Sequence, residues 1–104
     1  SAASDVYKRQ VLLQRLDPAN QTEDPIAAAE GDKGDVDKQM RAADAEVVAG
    51  APEKAFDRLI ETMKTTAGDE KARVRERLLE LFGLFEGNDP RVMEARTKLA
   101  SALY

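Results

Sequence analysis

The sequence has no cysteine, no histidine and no tryptophan, and only 5% of its 104 residues are aromatic. Without cysteine there is no disulfide and no thiolate nucleophile. Without histidine there is no imidazole base and no histidine-ligated zinc. No cofactor and no metal site is expected, and the lack of cysteine suits a cytoplasmic chain. No apolar run approaches the ~20 residues of a membrane span, so no membrane partner is expected. The net charge is −4. With that charge and with acidic residues spread along the chain, nucleic acid is not an expected partner either. What the chain does contain is 35% charged and 42% apolar residues. That balance suits a helical chain with enough apolar surface for one small domain.

The last third, residues 69–104, is the most patterned: DEKARVRERLLELFGLFEGNDPRVMEARTKLASALY. Val74, Leu78, Leu81, Phe82 and Phe85 recur at three- and four-residue spacing and so share one helical face. Asp69 is placed to cap that helix and Gly87 to end it. Asp89-Pro90 starts the next helix, since proline at the first helical position forfeits no hydrogen bond. Its stripe is Val92, Ala95, Leu99, Ala102 and Leu103. The two stripes can cover each other if the helices fold back as an antiparallel pair.

Upstream, residues 11–16 (VLLQRL) resemble the tail of a helix, which Asp17-Pro18 ends because a residue before proline is pushed out of the helical region. Residues 19–23 form a polar connector. Asp24-Pro25 opens a short helix ending near Glu30, and residues 31–34 are a loop. A helix over residues 35–50 carries Val36, Met40, Ala43 and Val47 on one face. After the turn at Gly50-Ala51-Pro52, a further helix to Lys64 buries Ala55, Phe56, Leu59, Ile60 and Met63. Residues 35–64 and 69–104 are therefore two helical hairpins, and the expected fold is all-α, with antiparallel hairpins stacked as a short α-solenoid. Ala43, Gly50 and Ala55 match the small-residue, turn-glycine and alanine spacing of tetratricopeptide repeats, although the bulky aromatic positions of the first helix are absent.

Residues 1–10, SAASDVYKRQ, agree codon by codon with an in-frame translation of a transposase sequencing adapter, and are expected to be an artefact outside the fold. The expected organisation is thus 1–10 adapter-derived, 11–34 the end of a preceding repeat plus connector, and 35–104 a module of two helix pairs. On that basis the protein continues upstream of Val11.

Ala42-Ala43-Asp44, the stretch GAPEKAFDRL at residues 50–59, and the phrases TAGDEKARVRERLLELF, NDPRV and LASALY together resemble the C-terminal region of bacterial YbbN-type proteins, the chaperedoxins. The resemblance spans nearly all of residues 11–104 and is most specific in the last third. It implies a tetratricopeptide region following a thioredoxin-like domain. It also implies a non-enzymatic co-chaperone that holds unfolded clients and passes them to chaperonin and other chaperones, with Tyr104 as the natural C-terminus. Two other readings remain open from the residues: the C-terminal part of a redox-active thioredoxin-like oxidoreductase, or a purely structural helical spacer or dimerisation element.

The candidate contact residues fall in two groups. Met93, Thr97, Ala100 and Tyr104 lie about a quarter-turn from the buried stripe of the last helix, at roughly 100° per residue, where no later repeat covers them. Asp37, Arg41 and Asp44 point away from the stripe of the helix over residues 35–50, where a tetratricopeptide array lines its groove. Lys71, Arg73, Arg75 and Arg77 form a basic patch that Glu70, Glu76 and Glu80 can balance within the same helix. Asp32, Asp35 and Asp37 lack the later ligands of a calcium loop, and loop and cap roles suit two of them better.

Overall fold

The structure is a computed structural model that describes residues 2–16 and 24–103. Among the described residues six helices follow in order: α1 (Ala2–Arg15), α2 (Pro25–Glu30), α3 (Val36–Val48), α4 (Pro52–Lys64), α5 (Gly68–Phe82) and α6 (Pro90–Leu103). Among the described residues there is no strand, and the all-α expectation stands. The Asp17-Pro18 stop, the connector over residues 19–23 and Tyr104 lie outside the described residues. α1 runs unbroken across residues 10 and 11, so the backbone marks no boundary there.

Three helix starts are set by side-chain caps. The Asp24 carboxylate accepts from Ile26 N–H at 2.9 Å, Asp35 from Lys38 N–H at 3.0 Å, and Asp89 from Arg91 N–H at 2.9 Å. Each satisfies a donor that a helix leaves without a backbone partner. The α3–α4 turn closes with Ala51 N–H on Glu46 C=O at 2.9 Å and Gly50 N–H on Val47 C=O at 3.1 Å. That pairing needs a left-handed residue, and Gly50 has φ +87°. Space around Gly50 is open, so the requirement is one of backbone conformation.

Helix α5 departs from expectation at both ends. Its N-cap is Ala67, which makes no side-chain cap bond, and Gly68 opens the helix with φ +60°. Asp69 lies in the first turn instead, where a negative charge still suits the helix dipole. The C-cap is Gly83, one turn before Gly87, so Phe85 sits in the following turn rather than on the helix. Phe85 nevertheless packs half-buried against the core. The aromatic side chain finds the core from the turn as readily as from a fourth helical position.

The core is centred on α4, which approaches α3, α5 and α6. Phe56 on α4 meets Phe82 edge-on at 4.9 Å between ring centroids and Phe85 at 6.0 Å. The stripe of α6 was expected to cover that of α5. Instead Val92, Ala95 and Leu99 join the common core and α6 lies closest to α4. Arg96 over the Phe82 ring, at 5.6 Å, links α6 to α5. Ala42, Ala43 and Ala55 are fully buried, and α3 and α4 form the most extensive helix contact in the chain. Small side chains at this crossing let the two backbones come together. Of the α3 stripe, Val36, Met40 and Ala43 are buried and Val47 is partly open; α1 and α2 also pack on α3.

Candidate functional site

α3 carries carboxylates on the flank that faces α1 and α5. Asp44, expected at the surface, is 1% exposed. Arg15 of α1 grips it at two points, with Nε donating to Oδ2 at 2.9 Å and Nη2 to Oδ1 at 3.2 Å. Arg77 of α5 donates to Oδ2 at 2.8 Å. Arg15 Nη2 also reaches Glu80 of α5 at 2.7 Å. Burial, the largest influence, pushes the Asp44 carboxyl up from its ordinary value, and the two guanidinium groups oppose it. Burial works against the Arg15 charge, but hydrogen bonds to Glu80 and Asp44 outweigh it and raise the Arg15 pKa. At about 100° per residue Asp44 sits on the edge of the α3 apolar stripe rather than opposite it. The docking of α1 is what covers it.

Below this cluster, Arg15, Asp37, Met40, Arg41, Asp44, Arg73 and Arg77 line an open pocket of about 340 Å³ between α1, α3 and α5. Arg73 pairs with Asp37 across the two helices. Arg73 and Arg77 thus bridge to α3 instead of pairing within α5, which corrects the expectation that their own helix balances them. The Arg41 side chain is exposed and makes no hydrogen bond or ion pair among the described residues. A guanidinium presents five donors in a planar fork that matches a carboxylate, so Arg41 and the outer edge of Arg73 can receive an acidic group. Asp37, Arg41 and Asp44 all line this pocket, but Asp44 is an internal anchor and is not available to a partner. Arg15, Arg73 and Arg77 complete the pocket. Their spacing held a partial signal, since Arg73 and Arg77 share a helical face as Asp37, Arg41 and Asp44 do.

The second group lies elsewhere, on α6. Met93 is 55% exposed, and Thr97 and Ala100 are also exposed. The Thr97 hydroxyl donates to the Met93 carbonyl at 3.2 Å. Tyr104 lies outside the described residues. The seven candidate residues therefore do not form one site.

A further polar network was not legible in the sequence. Arg58 of α4 donates to Glu46 at 2.8 Å, to Gln39 at 2.9 Å and to Glu30 at 2.8 Å. The buried Gln39 amide donates in turn to the carbonyls of Ala29 at 2.9 Å and Asp32 at 3.2 Å. Every strong contact of Arg58 is internal, so this network fastens α2 and α3 to α4. Asp32 pairs with Lys38, consistent with a loop role. Among the described residues no helix is long and apolar enough to cross a membrane.

Stacked helical hairpins with an alanine-lined crossing and a glycine turn define a helical repeat protein, and comparison with known families agrees. A tetratricopeptide repeat model matches residues 15–104, and the chain belongs to that family. Repeats of this kind generally mediate protein–protein interaction. An uncharacterized protein of Mycobacterium bovis and one of Mycobacterium tuberculosis are each 43% identical to the chain over 84 residues. The match covers 81% of this chain and 28% of each relative, so the chain spans less than a third of their length. No solved structure matches the chain.

Proposed function

We propose that this chain is the tetratricopeptide region of a cytoplasmic thioredoxin-like co-chaperone, with no catalytic activity of its own. It contacts unfolded clients and chaperonin or other chaperones, and an acidic segment of a partner enters the pocket between α3 and α5. The observation that carries the proposal is this pocket: an arginine-lined groove on the repeat, with Arg41 unpaired among the described residues. The resemblance of TAGDEKARVRERLLELF, NDPRV and LASALY to the YbbN-type proteins supports the co-chaperone assignment. The exposed Met93, Thr97 and Ala100 strip supports a second contact, since an adaptable methionine suits a protein surface. Residues 1–10 belong to the proposal as sequence appended to the natural chain.

The test uses purified bacterial chaperonin and a chemically unfolded client. The protein should suppress aggregation of the client and co-elute with chaperonin. Arg41→Glu with Arg73→Glu should abolish one of these contacts while leaving the helical signal intact, and Met93→Glu should weaken the other. If the unaltered protein neither protects the client nor co-elutes with chaperonin, the co-chaperone assignment is wrong.

A further inference from the structure

The chain has no cysteine and no tryptophan, so its three methionines carry the side chains most readily oxidised by peroxide. The fold treats the three unequally. Met63 of α4 is 1% exposed and Met40 of α3 is 6% exposed, and both sit in the buried cluster. Met93 of α6 is 55% exposed. It follows Val92, which enters the core, and the turn of about 100° per residue swings it out of the packed stripe. Among the described residues of α6, Met93 and Leu103 are the exposed large hydrophobic side chains. Thr97 lies one turn further along the same side, and its hydroxyl reaches back to the Met93 carbonyl. An oxygen added to the Met93 sulfur would therefore meet water or a hydroxyl. One added to Met40 or Met63 would be forced into apolar packing with no partner, which is costly.

We propose that Met93 is a site of reversible oxidation, and that sulfoxide formation there makes the α6 surface polar and releases its partner without unfolding the helices. The proposal rests on the reading of α6 as a contact surface, and adds its regulation. The oxidant is a peroxide. The thioether sulfur attacks one peroxide oxygen and the oxygen–oxygen bond breaks. The sulfur gives up two electrons and keeps that oxygen. The second oxygen takes the proton from the first and leaves as water. The product replaces a flexible apolar group with a polar, chiral one. In a contact, the new acceptor has to be desolvated, and a partner surface that receives a methionine side chain need hold no donor for it. On free α6 the same oxygen faces water, so the folded state bears no comparable cost. The reverse step consumes two thiols and yields a disulfide and water. The 104 residues hold no cysteine, so those thiols come from outside them, through a methionine sulfoxide reductase.

The experiment treats the folded 104-residue protein with dilute hydrogen peroxide and follows each methionine by peptide mass spectrometry. Met93 should oxidise roughly tenfold faster than Met40, in proportion to exposures of 55% and 6%, and Met63 should lag further. In urea the three rates should converge. The oxidised protein should keep its helical signal and elute earlier from a hydrophobic-interaction column. Its chaperonin affinity should fall about tenfold, the effect of leaving one acceptor without a partner, and recover with sulfoxide reductase and a dithiol. Met93→Leu should show neither change under peroxide, and Met93→Gln should resemble the oxidised protein without treatment. The proposal is overturned if Met40 or Met63 oxidises as fast as Met93 in the folded protein. It is overturned equally if column retention is unchanged, if helicity falls with Met93 oxidation, or if peroxide weakens chaperonin binding as much in Met93→Leu. If the untreated protein does not bind chaperonin at all, the co-chaperone assignment fails by itself, and the rates and the column shift still decide the oxidation site.

Discussion

Arg15 and Asp44, 29 residues apart, are joined by two hydrogen bonds, Nε to Oδ2 at 2.9 Å and Nη2 to Oδ1 at 3.2 Å. This forked contact, with Arg77 completing the cluster, ties α1 to α3 and α5. Asp44→Ala should destabilise the protein by about 1–3 kcal/mol, the range for hydrogen bonds to charged groups. Arg15 and Arg77 are partly exposed and can turn to water, which keeps the loss below that of a fully buried pair. Urea denaturation measures it, and a loss indistinguishable from a surface substitution would show that the cluster does not hold α1.

Phe82 is 3% exposed and stands edge-on to Phe56 at the centre of the core. Phe82→Ala removes that ring contact and the Arg96 stacking, and leaves a cavity bounded by helices that close it only in part. The expected loss is about 3–5 kcal/mol. It appears as a lower urea midpoint, and a change under ~1 kcal/mol would place the ring outside the core.

Arg58→Ala should be as damaging as a core truncation. Glu46 is buried and loses its ion-pair partner, and the Gln39 side-chain oxygen loses the donor it accepts from. Breaking a buried pair from one side costs about 3–5 kcal/mol. Because Glu30 is also tied to Arg58, amide exchange in α2 should accelerate more than in α6.

Asp89 gives a pH dependence of known sign. Hydrogen bonds from the Arg91 side chain, then from the Arg91 backbone, lower its pKa to about 2. A carboxyl depressed on folding contributes stability that is present above its unfolded pKa of roughly 3.9. That stability is lost as pH falls from there through about 2. Helicity of α6 should therefore drop over this window, as followed by residue-resolved NMR. Asp89→Asn retains a good cap without the titration and should flatten the local change.

Met93→Glu should leave stability within about 0.5 kcal/mol of the unaltered protein, as for other surface substitutions. Met93 is more than half exposed and its neighbours Thr97 and Ala100 are exposed too. A larger loss in a thermal melt would mean that α6 uses Met93 for its own packing.

Helices α2 to α6 were legible in the sequence, because their determinants are local, whereas α1 was expected only from residue 11 and runs from Ala2. The aspartates before Pro25 and Pro90, the aspartate before Val36 and the glycine of the α3–α4 turn act within a few residues, and each was found where its spacing placed it. The apolar stripes likewise named most of the core, from Val36 and Met40 through Phe56 to Val92 and Leu99. Only the tertiary structure decided which stripe covers which. Helical periodicity states that a face is apolar but not what it meets, so α6 fell against α4 where an α5–α6 pair was expected. The same limit hid the polar clusters. Asp44 and Glu46 flank the α3 stripe with nothing nearby in sequence to mark them as buried. They are buried because α1 and α4 bring arginines from 29 and 12 residues away, and such distant ion pairs leave no periodic trace in a single chain.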